Sequence, residues 1–164
     1  MNGVLLDTSF LITFSDSTRP NHAVAEIYYR EFKRRGWTMF LSVIVASEFQ
    51  VGQSVIDLPL SSFLIAPFNI DDAIECGELG KLALASRDDG DNRIRLKDDL
   101  KLIAQCKNQG ISHFICEDER LAAKYAKKLK HAGKAPGLPE VILLCDGFNE
   151  AIFNDGQSSL DLGA

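Results

Sequence analysis

Short, uniformly apolar runs separated by helix-length amphipathic stretches set the tightest limit on this fold. Val4-Leu5-Leu6, Thr38-Met39-Phe40-Leu41-Ser42, His113-Phe114-Ile115-Cys116 and Val141-Ile142-Leu143-Leu144-Cys145 each read as a strand. None alternates cleanly between apolar and polar, so each is expected to be covered on both faces. Helices between the strands supply that cover, and parallel pairing follows. The expected class is α/β: one three-layer domain with a short, mainly parallel sheet flanked by helices.

Helices are expected over 10–14, 22–35, 43–53, 70–85, 97–107 and from 118 to about 130, while 60–65 reads either way. Gly36 and Gly110 stand where the second and fifth of these should stop. Asp71 and Asp72 suit a helix start, with Glu75 spaced from Asp72 as a capping box. Asp88, Asp89 and Asp91 read as solvated loop residues. The 164 residues suffice for one core. Residues 1–147 are expected to form it, and 148–164 a C-terminal extension, polar from Gly156.

Cys76, Cys106, Cys116 and Cys145 show no CxxC pair and no zinc spacing, and are expected as buried free thiols in a reducing compartment. No basic leader precedes the first apolar run, and no run is long enough to cross a bilayer. The expected location is the cytoplasm, with no membrane contact.

The strongest chemical signal is acidic. In open parallel sheets, sites form beyond the carboxyl ends of the strands. Asp7 follows the first strand, Asp118 lies just after the third, and Glu48 lies in the helix after the second. By helical register, Asp99 shares a face with Leu102, Ile103 and Cys106, Asp118 with Leu121, Ala122 and Tyr125, and Glu48 with Ile44 and Val51. A carboxylate on an apolar face is costly unless something compensates it. Crowded carboxylates repel, and a hard divalent cation with oxygen ligands is the usual remedy. Such an ion assists phosphodiester cleavage. Plainer roles compete: Asp7 and Asp118 as helix N-caps, Asp99 as a first-turn acid complementing the helix dipole. Asp146 also follows a strand, as a weaker candidate.

These residues resemble the motifs of PIN domains. Val4-Leu5-Leu6-Asp7-Thr8-Ser9 is similar to the opening motif, and Leu41-Ser42 through Glu48-Phe49 to the second. Lys97-Asp98-Asp99-Leu100 through Ala104 is similar to the third, and Ile115-Cys116-Glu117-Asp118 to the fourth, which more often carries Thr at the Cys116 position. The stretch from Pro67 to Gly80 resembles the VapC toxin branch. The doubled Asp98-Asp99 leaves the third acid open between two residues, and the apolar stripe favours Asp99. Similarity extends from about Val4 to Cys145.

The resemblance implies a PIN-like fold and a ribonuclease whose Asp7, Glu48, Asp99 and Asp118 bind Mg²⁺ or Mn²⁺, with Ser9 orienting Asp7 or contacting phosphate. It also implies 5′-phosphate and 3′-hydroxyl products, a homodimer, and a small antitoxin that inserts a peptide into the site. The amphipathic helices between Asn21 and Gln53 are where such a partner would find a groove. The net charge of −5 argues against holding RNA by general attraction. RNA contacts are therefore expected from local bases: Arg93, Arg95, Lys97, Arg120 and Lys124, with Lys127, Lys128 and Lys130 extending a phosphate track. The alternative is a catalytically silent PIN-fold module that binds RNA or protein. A small-molecule phosphohydrolase fits less well, because no Asp-x-Asp pair or phosphate-binding glycine loop is present.

Overall fold

Gly3, Val4, Leu5 and Leu6 are all buried, as expected of a strand in the middle of a covered sheet. In the computed structural model, which describes residues 2–88, 90, 93–119 and 121–154 (backbone alone at 93–95, 97 and 98), this strand is the centre of the molecule. In chain order the elements are β1 (Gly3–Leu6), α1 (Thr8–Ser15), α2 (His22–Arg34), β2 (Thr38–Ser42), α3 (Val43–Gly52), β3 (Leu64–Ala66), α4 (Ile70–Ala85), α5 (Arg93–Gln109), β4 (His113–Cys116), α6 (Leu121–His131) and β5 (Glu140–Leu143).

The five strands form one sheet in the order β3-β2-β1-β4-β5, with every neighbouring pair parallel. The chain starts in the centre, winds outward through β2 and β3, then returns to add β4 and β5 on the other side. Strand order therefore reverses between β1 and β4. There the connections leave in opposite directions and open a crevice beyond the strand ends. The register pairs Leu6 with Ile115, and the amide of Asp7 continues the ladder to the Ile115 carbonyl at 3.0 Å.

Local chemistry sets the helix bounds. Asp7 caps α1, which therefore starts at Thr8 rather than at residue 10. Ser42 caps α3 by accepting from the Ile44 amide. Gly36 and Gly110, with φ of 70° and 67°, take the left-handed turns that end α2 and α5.

Several expectations are corrected. The capping box of α4 sits one turn earlier than expected, between Asn69 and Asp72. Glu75 instead pairs with Lys107 of α5. Helix α5 begins at Arg93, not residue 97, because Leu96 already joins the buried stripe continued by Leu100 and Ile103. Residues 60–65 divide into a 3-10 turn at Leu60–Ser62 and the start of the edge strand β3. Strand β5 stops at Leu143, so Cys145 falls in a 3-10 turn and is exposed. Cys76 is half-buried, Cys106 and Cys116 are buried, and none of the four forms a disulfide.

Beyond β5 the chain runs back along the sheet. Phe148 and Phe153 pack on Tyr28 of α2, and Phe153 also meets Phe32 and Trp37. No helix among the described residues is long and apolar enough to cross a membrane.

Candidate active site

A cavity of about 270 Å³ opens beyond the carboxyl ends of β1 and β4, where strand order reverses. Asp7, Ser9, Glu48, Asp99, Arg19 and Glu117 give it its polar lining. Four of the five residues expected to act together, Asp7, Ser9, Glu48 and Asp99, thus face one space. Asp118 is not among the lining residues.

Asp7 is both cap and lining. Its Oδ2 accepts from the Ser9 amide at 3.0 Å and from the Ser9 hydroxyl at 2.5 Å. The same hydroxyl accepts from the Glu117 amide at 3.0 Å. Ser9, buried in the first turn of α1, therefore ties the loop after β1 to the loop after β4. It also holds the Asp7 carboxylate in one orientation.

Glu48 reaches the cavity from α3 without being buried. Val45 and Phe49 form the buried face of that helix, while Val51 is 89% exposed. The sequence pattern placed Glu48 on an inward stripe, and that is corrected here. Its carboxylate lies at the cavity mouth because the Thr8 hydroxyl donates to Oε2. Asp99 sits two turns inside α5, so a first-turn dipole role does not apply to it. Leu102, Ile103 and Cys106 on its face are buried as the register requires, and Asp99 itself is half-buried. The side chain of Asp98 lies outside the described residues.

The fourth acid departs from expectation. Helix α6 begins at Leu121, so Asp118 heads no helical stripe and lies exposed in the β4–α6 loop. The preceding residue, Glu117, lines the cavity instead, 9% exposed, with the Arg19 Nη2 2.7 Å from its Oε2. Sequence reasoning missed both partners: helix register favours Asp118 over Glu117, and Arg19 lies in none of the motifs. Cys116, where Thr is commoner, still donates a hydrogen bond, from Sγ to the Asp118 carbonyl at 3.3 Å.

The expected phosphate track is already occupied by carboxylates. Lys124 and Lys128 both hold Asp88, at 2.8 and 2.6 Å, Lys127 holds Glu119, and Lys130 holds Glu140. The two contacts to Asp88, that with Lys124 foremost, hold its carboxyl down at about 2. Arg120 and the side chains of Arg93, Arg95 and Lys97 lie outside the described residues.

Carboxylate oxygens are the donors a hard dication prefers. Among the described residues, however, no three Asp, Glu, His or Cys side chains converge closely enough to cage a metal. Mg²⁺ needs no such cage, since it keeps several waters and binds through one or two carboxylates and substrate phosphate. One or two of Asp7, Glu48 and Asp99, which share the cavity wall, suffice for an open site of that kind.

The sequence matches no known family model and no curated protein. Solved structures do match. The VapBC2 structure from Rickettsia felis, bound to promoter DNA, aligns with TM-score 0.56 at 16% identity, over 86% of this chain and 98% of that one. DNA-bound VapBC from Salmonella typhimurium gives 0.53 at 15%, over 88% and 100%. Mycobacterium tuberculosis VapC20, described as a sarcin-ricin loop cleaving toxin, gives 0.53 at 15%, over 74% and 94%. At these identities the likeness carries architecture alone, and a parallel sheet flanked by helices is the architecture that the motifs implied: this chain has the VapC-type, PIN-domain fold.

Proposed function

We propose that this chain is a metal-dependent endoribonuclease, the toxin half of a toxin–antitoxin pair. The observation that carries the reading is the acidic cavity at the strand-order reversal, lined by Asp7, Glu48 and Asp99 in a VapC-type fold. A similar structure described as a sarcin-ricin loop cleaving toxin supports the RNA substrate, and similar VapBC complexes support an antitoxin partner. A homodimer and a cytoplasmic setting belong to the same reading.

In this proposal one or two of Asp7, Glu48 and Asp99 would hold Mg²⁺ or Mn²⁺ together with substrate phosphate, and Asp118, outside the lining, would add negative charge near the mouth. The bound ion supplies Lewis-acid activation of the phosphate. Ser9 keeps Asp7 oriented toward the cavity. Glu48, exposed at the mouth, positions the attacking water and takes its proton. Water attacks phosphorus, the P–O3′ bond breaks, and the leaving oxygen takes up a proton. The products are 5′-phosphate and 3′-hydroxyl ends.

The test is cleavage of a mixed RNA pool with Mg²⁺, Mn²⁺ or EDTA, for the native chain beside Asp7→Asn, Asp99→Asn and Asp118→Asn. The expected result is metal-dependent cutting, abolished by the first two substitutions and reduced by the third. All three Asn variants keep a capping or polar side chain, so the fold should survive. A folded native chain that cuts nothing under either metal, yet binds RNA, would replace this reading with a silent binding module.

A further inference from the structure

We infer that Arg19 is a catalytic residue of this site, contacting a non-bridging oxygen of the RNA phosphate, with Glu117 as the positioning residue that holds its guanidinium. The inference rests on the ribonuclease reading of the cavity. It starts from a charge problem. Asp7, Glu48, Asp99 and Glu117 all face the space that a phosphate anion must enter, and Arg19 is the one basic residue lining it among the described residues. An ion pair with Glu117 cancels one of those charges.

Arg19 is held as a preorganised donor would be. The Asp16 carboxylate accepts from the Thr18 amide at 2.9 Å and the Thr18 hydroxyl at 2.6 Å, shaping the turn. The Arg19 amide donates to the Asp16 carbonyl, and its carbonyl accepts from the His22 amide, each at 3.1 Å. Pro20 follows and restricts Arg19 to extended conformations. On the other side, Glu117 is fixed at both ends of its backbone. Its amide donates to Ser9, and its carbonyl accepts from Cys145 at 3.0 Å. The guanidinium is thus pinned between two rigid loops before any ligand arrives.

It is also under-used. A guanidinium carries five N–H donors in a fork that matches phosphate. One nitrogen donates to Glu117, and Nε is buried without an acceptor among the described residues. A buried donor left unmet is costly. The Arg19 side chain is still 35% exposed, so an oxygen entering the cavity can reach it.

A mere structural tie between two loops would use the same ion pair, so the experiment separates the two roles. RNA cleavage is measured for Arg19→Ala, Arg19→Lys and the double variant Arg19→Ala/Glu117→Gln, with thermal unfolding of each. Loss of one preorganised donor predicts a fall in kcat/KM of about 100-fold for Arg19→Ala, a smaller fall for Arg19→Lys, and partial recovery of Arg19→Ala on adding millimolar guanidinium. The double variant stays as slow as Arg19→Ala. Native rates in Arg19→Ala, or recovery of native rates in the double variant, would overturn the inference, because Arg19 would then serve only as a counter-ion. A second measurement stands apart from cleavage. Single-stranded RNA binding in EDTA should weaken about 5- to 10-fold in Arg19→Ala, with the salt slope shallower by about 0.7. If the native chain cuts no RNA, the ribonuclease reading fails while this binding arm still decides whether Arg19 meets phosphate. Equal affinity would sink the inference on its own.

Discussion

The two ends of the sheet solve opposite problems. At the amino end, Trp37 just before β2 and His113 opening β4 lie with ring centroids 4.6 Å apart, and Phe32, Tyr28, Phe148 and Phe153 close around them. The polar groups there have partners. The Tyr28 hydroxyl donates to the Gly147 carbonyl and accepts from the Asn149 amide, and Arg35 lies over the Phe153 ring while pairing with Glu31 and Glu150. At the carboxyl end, carboxylates face a common space and a guanidinium nitrogen is buried unmet. One end satisfies its own polar groups, and the other keeps several carboxylates and a guanidinium facing open space. Stability should therefore reside at the first end and activity at the second.

The largest effect that tests this division is Phe32→Ala. Phe32 is fully buried and stacks between Tyr28 and Trp37. Its truncation should cost about 3–5 kcal/mol in urea unfolding, as for other buried aromatic deletions. RNA cleavage per folded molecule should stay native at low temperature. A loss of cleavage beyond the folded fraction would show that the two ends are coupled.

Asp72→Ala comes next, because it breaks any simple rule that acids belong to the site. Asp72 is fully buried, yet it accepts from the Asn69 amide, Asn108 and Gln109, closing the α4 cap and pinning α4 to α5. Removing it takes the acceptor from three part-buried hydrogen bonds and the cap, and should cost about 1–2 kcal/mol, read as a lower urea midpoint. Asp72→Asn should cost less. A cost near zero for Asp72→Ala would mean water satisfies those donors.

Glu48→Gln is the counterpart at the cavity. Glu48 is exposed, and glutamine keeps an acceptor for Thr8. Unfolding should change by less than about 0.5 kcal/mol. A larger destabilisation would make Glu48 part of the frame rather than of the open end.

The same contrast explains what the sequence disclosed. Core strands were legible because burial on both faces leaves uniform apolar runs: the residue 38–42 and 113–116 strands match the structure residue for residue. Asp7 and Asp99 were legible because a strand end and a buried helical stripe fix where they point. Glu48 entered the cavity despite its register, through a hydrogen bond to Thr8 that no periodicity encodes. Glu117 and Arg19 were hidden for a related reason. Both sit in loops, and their meeting spans 98 positions of chain. The α6 start was misplaced because Asp118 looks like a cap, whereas the helix waits until Leu121.

The smallest effect concerns a third region, where charges pair in solvent. Asp88 is held by Lys124 and Lys128 and its carboxyl sits near 2, below the ordinary carboxylate value of about 4. A folded-state value below the unfolded one stabilises the fold above about pH 4, and that contribution is lost as pH falls toward 2. The stability gap between the native chain and Asp88→Asn should therefore be constant near neutrality, shrink between pH 4 and 2, and diminish with added salt. It should be smaller than either buried substitution, since the Asp88 side chain is 49% exposed. Urea midpoints of both proteins across pH 2–7, at low and high salt, read this directly. The Asp88 amide also donates to the Tyr125 hydroxyl at 3.0 Å, and the substitution leaves that bond in place. A gap that persists at pH 2 would therefore point away from the carboxylate charge, and the lysines of α6 would then be available to a phosphate backbone at little cost to the fold.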